Sequence, residues 1–309
     1  MYFCFFLVKK RLNNILLKLA AIDIGSNAAR LLISQVTVVN NEPTFSKLNL
    51  VRVPLRLGFD VFETGTIRPQ KIDMILHTMS AYNNLLSAYS VTNYKAYATS
   101  AMRDAANGES IIKQVKQKTG IHIEIITGDQ EAMIVFENHI AETLDKNNSY
   151  LYIDVGGGST ECSYFSNGIL QFKQSFNIGT IRVLKNLVQD KEWDAMKEKL
   201  KQLTKTNKEV IAIGSGGNIN KIFSLSKKKD GKPLSIELLR DYYKEMNAVT
   251  LTERMRLYNF REDRADVIVP ALQIYINAMH WVGATNIFVP KIGLVDGLVH
   301  HLYDELVSK

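Results

Sequence analysis

Glycine-rich turns beside carboxylates carry most of the chemistry legible in this chain. In Ala21-Ile22-Asp23-Ile24-Gly25-Ser26-Asn27 a carboxylate closes an apolar run and Gly25 lets the backbone turn sharply. Such a turn presents N–H groups that, with the side chains of Ser26 and Asn27, can cradle a phosphate, while Asp23 sits where a bridging Mg²⁺ or its water would lie. Alone, this turn is equally an ordinary hairpin. A second turn shifts the balance: after the apolar run LYIDV, Asp154 is followed by Gly156, Gly157, Gly158, Ser159 and Thr160. Consecutive glycines cost chain entropy that a plain hairpin need not incur, so close approach of a ligand to the backbone is expected. Glu161 joins Asp154 to place two carboxylates near one turn, a set suited to a hard divalent cation that bridges phosphate oxygens. A third cluster, Gly214, Ser215, Gly216 and Gly217, ends the apolar run EVIAI and enters a helix at Asn218. Helix N-termini attract anions, although glycines here can equally serve close packing.

Hydrolysis of a phosphate also needs a group that orients and deprotonates water. The segment ITGDQEA supplies a candidate, with Asp129 suited to a helix N-cap and Glu131 in the first turn. Reaching into a cleft, Glu131 would act as general base toward a water in line with the terminal phosphate; the competing reading is an ordinary first-turn acid. Arg103, in ATSAMRDA, follows another strand end, where it can clamp a phosphate bidentately or simply pair on the surface with Asp104.

The elements that must position these groups are legible from periodicity. LAAIDIG and ARLLISQVTV read as a hairpin, a third strand is expected around Leu50 to Arg56, and Pro69 opens a helix with an apolar stripe at Ile72, Ile75, Leu76, Met79, Leu85 and Leu86. YKAYATS is a strand, a helix begins near Ala101, and HIEIIT leads into a helix over residues 128–144. The polar stretch Asp145 to Ser149 reads as a linker, after which the strand-Asp-X-Gly-strand device starts again, about 130 residues beyond its first copy. That duplication predicts an α/β protein of two homologous halves facing each other across a cleft. A helix near Trp193 to Leu203, the strand EVIAIGSGG, a long helical region through Tyr258, the helix PALQIYINAMHWVGA and a closing strand, glycine turn and helix complete the chain.

The 309 residues, 46% hydrophobic and 22% charged, suit two soluble globular domains. A net charge of +7 favours anionic partners, and lysine-rich runs at Lys227 to Lys232 and from Lys197 either attract polyanions or are solvated faces. Cys4 and Cys162 lie far apart, without disulfide or zinc spacing, which suits a reducing cytoplasm. Residues 1–17 read as an extension before the fold: MYFCFFLV is too short to span a bilayer and is followed, not preceded, by Lys9, Lys10 and Arg11. Its plain explanations would be a mistaken gene start or a loose surface contact.

These segments, in this order, resemble the exopolyphosphatase and guanosine pentaphosphate phosphohydrolase family, a branch of the actin, Hsp70 and sugar kinase superfamily. The resemblance rests on IDIGSNAARLLI, YATSAMRDA, IEIITGDQEA, YIDVGGGSTE, AIGSGGN and GLVDGL, and runs from Lys18 to about Leu302. It implies two ribonuclease H-like domains, at 18–140 and 141–309, and hydrolysis of the terminal phosphate of inorganic polyphosphate with Mg²⁺. It also implies Glu131 as the base, Asp23 to Asn27 and Asp154 to Ser159 as phosphate turns, Arg103 as a phosphate contact, and Asp154 and Glu161 as metal-associated carboxylates. Ala28 replaces a common serine, and Val295 stands where an arginine is usual. Guanosine pentaphosphate is the alternative substrate; a superfamily kinase or a non-catalytic polyphosphate or alarmone sensor are further rivals. No nucleic acid or membrane partner is expected, and a homodimer is a reasonable expectation from general frequencies.

Overall fold

Each half of the chain opens with the same unit, an apolar strand, a tight turn at an Asp-X-Gly sequence and an antiparallel return. The computed structural model describes residues 16–39, 42–91, 93–136, 145, 148–204, 209–290 and 293–308. In the first half β1 (Leu16–Ile24), β2 (Ala29–Val39) and β3 (Glu42–Val53) form an antiparallel meander, and β4 (Asn93–Ala98) and β5 (Glu124–Ile125) add on in parallel, giving the order β3-β2-β1-β4-β5. In the second, β6 (Ser149–Val155), β7 (Thr160–Ser166) and β8 (Ile169–Phe176) repeat the meander. Beside β6 lie β9 (Val210–Ser215) and β11 (Asn286–Phe288) in parallel, with the short β10 (Leu234–Ser235) at the edge. Both sheets are therefore mixed and share one strand order, as the duplicated hairpins predict.

The first sheet buries one face against α1 (Gly58–Thr64), α2 (Pro69–Ala88), α3 (Ser100–Asp104) and α4 (Gly108–Thr119). In α2 the expected stripe points inward: Ile75 and Met79 are fully buried, and Ile72, Leu76 and Leu85 pack against the same core. Tyr82 also points into this core, and its hydroxyl donates to Ala29 O at 3.1 Å, tying α2 to the start of β2. The helix α5 (Gly128–Phe136) follows β5; its expected continuation to residue 144 lies outside the described residues.

The second sheet packs against α6 (Thr180–Leu184), α7 (Asp190–Leu203), α8 (Gly217–Leu225), α9 (Ile236–Asn247) and α12 (Ile268–Trp281). The helical region expected through Tyr258 is broken, because Lys232-Pro233 leads into β10 before α9 begins; α10 (Leu251–Tyr258) and α11 (Glu262–Ala265) follow. The last helix, α13 (Leu294–Val307), lies within the segment expected as the second half but packs on β1, β2 and β4. Its buried Leu298, Val299 and Leu302 share a core with Leu19, Ala21 and Leu32 of the first sheet and with Tyr150, Tyr152 and Ile213 of the second. The last helix, with Ile134 of α5 beside it, thus fills the layer between the sheets.

Some expectations shift in detail. The third strand covers Glu42–Val53 rather than Leu50 to Arg56, and the extension expected over 1–17 lies outside the described residues except for Leu16 and Leu17, which already belong to β1. Cys4 lies outside them too, as do residues 146–147 of the expected linker. Among the described residues no helix is long and apolar enough to cross a membrane.

Candidate active site

The two Asp-X-Gly turns have the same internal geometry. Gly25 N donates to Ala28 O at 3.0 Å, and Gly156 N donates to Ser159 O at 2.9 Å. They also touch: a Cβ at Gly157 would lie 2.9 Å from Ser26 Cβ and 3.4 Å from Asn27 N, so only glycine permits this approach. The facing turns form the base of a cleft of about 290 Å³ whose lining comes from both halves. Gly216, with φ of 110°, closes one side, its bare Cα beside Asp154.

One wall of the cleft is acidic. Asp23 ends β1, Asp154 sits near the end of β6, and Glu131 projects from the first turn of α5. Helix α5 is capped by Thr127 rather than Asp129: Gln130 N donates to Thr127 Oγ1 at 3.2 Å and Thr127 N donates to Gln130 Oε1 at 2.9 Å, a reciprocal capping box. Glu131 Oε2 is buried without a hydrogen-bond partner among the described residues, an arrangement natural for a carboxylate that awaits a water or ligand. Burial, then the charges of Glu161, Asp154 and Asp23, pushes Glu131 well above the usual carboxylate range, with Arg103 opposing. Burial likewise raises Asp23 and Asp154, and Arg30 opposes the rise at Asp23 by donating to its Oδ2 at 2.8 Å.

A basic wall adjoins it, meeting it where Arg30 pairs with Asp23. Arg30, Arg52, Arg264 and Lys47 line it. Arg30 and Arg52 are cross-strand neighbours on β2 and β3, and Arg264 lies over the bare Cα of Gly217 while donating to Asn218 Oδ1. Burial and the proximity of Arg52 and Arg30 push Arg264 down to about 10, the mark of cations crowded together at an anion site. Arg52 pairs with Asp263, and Lys47 pairs with Asp296 at 2.5 Å. The cleft thus sets carboxylates beside guanidinium groups around two backbone turns, an arrangement able to grip a phosphate chain and activate water at one end.

The acidic wall suits Mg²⁺, which takes one or two protein carboxylates and fills its remaining positions with water and phosphate oxygens. Asp154 faces the cleft, and the buried Glu131 oxygen lies in the same lining. Among the described residues no group of three or more His, Cys, Asp or Glu side chains is placed to enclose an ion by itself.

Residues 36–306 match the Ppx/GppA phosphatase family model. The chain belongs to the Ppx/GppA phosphatase family. Similar proteins include a bifunctional 3-dehydroquinate synthase/phosphatase of Fusobacterium nucleatum, 34% identical over 64% of this chain and 32% of that protein. Exopolyphosphatase 2 of Mycobacterium tuberculosis is 29% identical over 54% of each chain. A guanosine-5'-triphosphate,3'-diphosphate pyrophosphatase of Vibrio parahaemolyticus is 23% identical over 93% of this chain and 59% of that one. The matched region therefore spans between about a third and three fifths of these relatives' lengths. Among solved structures, an exopolyphosphatase from Cytophaga hutchinsonii superposes with a TM-score of 0.79 at 24% identity, covering 93% of this chain and 98% of that one. The Aquifex aeolicus member of the Ppx/GppA family gives 0.74 at 24% identity, covering 94% and 99%.

Against this family frame, the expected site residues divide. Asp23, Gly25, Ser26, Asn27, Glu131, Asp154, Gly156, Gly157, Ser159, Gly216 and Gly217 all line the cleft. Gly158, Gly214, Arg103 and Glu161 do not. Gly158 packs on Ser100 and Phe62, and Gly214 packs on Ile287 and Ile219, the close-packing use of a glycine. Arg103 donates to Ile126 O at 2.9 Å and borders a shallow recess behind α5. Glu161 stands opposite Asp154 across the hairpin, outside the lining but beside Glu131, and accepts hydrogen bonds from Ser159 Oγ at 2.6 Å and Ser175 Oγ at 2.8 Å. No described residue of either lysine-rich run lines the cleft: Lys227 to Lys232 follows α8, and the run from Lys197 begins in α7, its residues 205–208 lying outside the described residues.

The whole basic wall escaped the sequence reading. One signal was available for Arg30: in the duplicated hairpins Asp23 faces Arg30 as Asp154 faces Glu161, so Arg30 holds the position equivalent to a residue already singled out. Arg52 and Arg264 carry no comparable local mark.

Proposed function

We propose that this cleft hydrolyses the terminal phosphoanhydride bond of inorganic polyphosphate, with Glu131 as general base. The observation that carries this reading is the Glu131 carboxylate, buried with one oxygen unpartnered, at the acidic end of a cleft whose other wall presents three arginines. The terminal phosphate lies against the N–H groups of the two turns, and Glu131 orients a water on its far side and takes the proton as the water attacks phosphorus. Arg30 and Arg264 balance charge on the non-bridging oxygens. Asp154 would hold Mg²⁺ beside the phosphate, with Glu161 behind it. When bound, the ion would neutralise phosphate charge and favour departure of the shortened chain.

Because Asp23 and Glu131 come from one half and Asp154 from the other, closure of the halves assembles the site. Membership in the Ppx/GppA phosphatase family and similarity to proteins named exopolyphosphatase support this choice of substrate. One observation favours guanosine pentaphosphate as a second reading: Leu50, 53% exposed, lines the cleft between Lys47 and Arg52 and offers an apolar face that a nucleoside can use and a bare phosphate chain cannot.

The test is phosphate release with Mg²⁺ from polyphosphate, guanosine pentaphosphate and ATP. Glu131→Gln is expected to lower turnover by about 10²-fold or more while substrate still binds. Undiminished turnover in that variant would remove Glu131 from the mechanism, and Leu50→Ala is expected to weaken the nucleotide selectively if the second reading holds.

A further inference from the structure

The basic wall contains an internal ion pair in a place of consequence. Cross-strand register sets Asp23, Arg30 and Arg52 in one rank over three adjacent strands. Strand spacing therefore puts the Arg52 backbone about 9.5 Å from that of Asp23, at the end of the rank away from the acidic wall. Arg52 Nη1 is paired with Asp263 Oδ2 on α11, so the pair joins the first half to the second. Its Nε is buried without a hydrogen-bond partner among the described residues, although the side chain lines the cleft. A buried guanidinium N–H without a partner is unusual, because leaving a charged donor unpaired away from solvent is costly.

Asp263 is also oversubscribed. Arg261 Nε lies 3.3 Å from its other carboxylate oxygen, and the charge of Arg264 acts on it as well. One carboxylate thus answers several cations, and the cluster has room for a further anion.

We propose that Arg52 binds a non-scissile phosphate of the substrate, and that Asp263 stands in for that phosphate in the ligand-free protein. This rests on the reading of the cleft as a phosphoanhydride site and deepens it by naming a determinant of chain length. An incoming chain anchored at the acidic end passes Arg30 and meets Arg52, which exchanges its carboxylate partner for phosphate oxygens. The fork of the guanidinium can then use Nε and an Nη together, the bidentate geometry it lacks with Asp263 alone. Substrates too short to reach Arg52 gain nothing from it, so the residue discriminates longer chains from pyrophosphate.

The experiment is calorimetric binding of pyrophosphate and of tetrapolyphosphate to the full chain and to three variants: Asp263→Asn, Arg52→Gln and the double variant. Asp263→Asn is nearly isosteric and frees Arg52, so tetrapolyphosphate is expected to bind several-fold more tightly. Arg52→Gln is expected to weaken it about tenfold, and in that background Asp263→Asn should have no further effect, an outcome that mere loosening of the halves would not produce. Pyrophosphate affinity should change less than about twofold throughout. Tetrapolyphosphate binding that ignores Arg52→Gln, or that weakens equally in both single variants, would overturn the proposal. A protein that shows the predicted binding pattern but releases no phosphate would instead leave this inference standing and defeat the hydrolase reading.

Discussion

As the proposed general base, Glu131 has to be unprotonated to accept a proton from water, and the surroundings of its side chain work against that. Burial and three neighbouring carboxylates raise its pKa, and the charge of Arg103 opposes the rise. The acidic limb of the activity profile is therefore expected above the usual carboxylate range. Arg103→Gln removes the opposing charge, so the limb should move to higher pH, and turnover at fixed mildly acidic pH should fall more than turnover at alkaline pH. A uniform loss at all pH values would mean that Arg103 acts by contact and not by charge.

Glu161 gives a stability counterpart. Burial and Asp154 push it from an ordinary value of 4.5 up to about 7, against the hydrogen bonds it receives from Ser159 and Ser175. The folded state thus binds the proton more tightly than the unfolded chain. Its contribution to stability is fully present below about 4.5 and is lost as pH rises through about 7. In metal-free buffer, denaturant titrations should show stability falling across that window, and Glu161→Gln should flatten the fall; an unchanged slope in the variant would assign the titration elsewhere. At this scale the sequence marked the carboxylates well, because Asp23, Glu131 and Asp154 sit beside turns that announce themselves. Arg52 and Arg264 reach the site only through sheet register and the placement of a short helix, neither of which has a local signature.

The elements that matter most are the two facing turns. Gly157→Ala puts a methyl group 2.9 Å from Ser26 Cβ and 3.1 Å from Ile181 Cδ1, so the turns must separate. A loss of about 1–3 kcal/mol in stability is expected from such overpacking, with a larger proportional loss of activity because groups of both halves move apart. Thermal unfolding and phosphate release measured on one preparation check this, and a variant with native activity would show that the close approach of the turns is dispensable. The duplicated hairpins were legible because an apolar strand ending in Asp-X-Gly is a strong local pattern, and the shared strand order follows from it. The break between α8 and α9 was not, since Lys227 to Pro233 interrupts the helical pattern with a loop and a two-residue strand that gains its partner only from β11, about 50 residues later. The third glycine cluster also splits by context: Gly216 and Gly217 face the cleft, and Gly214, on the same strand end, is committed to Ile287.

At the scale of the whole molecule, the halves are joined at the cleft, where Arg52 pairs with Asp263 and the two turns touch, and also around it. Arg56 pairs with Asp266 at 2.5 Å on the β3 side, and Arg182 pairs with Asp104 at 2.7 Å on the α3 side, while α13 fills the layer between the sheets. Arg182–Asp104 is partly exposed and contributes about 0–1 kcal/mol, so the α3 rim can open and close at small cost, while the Arg56–Asp266 pair, its carboxylate buried, and the α13 layer keep the halves together. That arrangement suits a site whose lining comes from both halves. The most direct test of the central claim is phosphate release from polyphosphate in ¹⁸O-labelled water, with wild-type protein and Glu131→Gln in parallel. Attack by a Glu131-activated water predicts one labelled oxygen in each orthophosphate released, and release that all but disappears in the variant. Orthophosphate without label, or labelled release that persists in Glu131→Gln, would contradict the account.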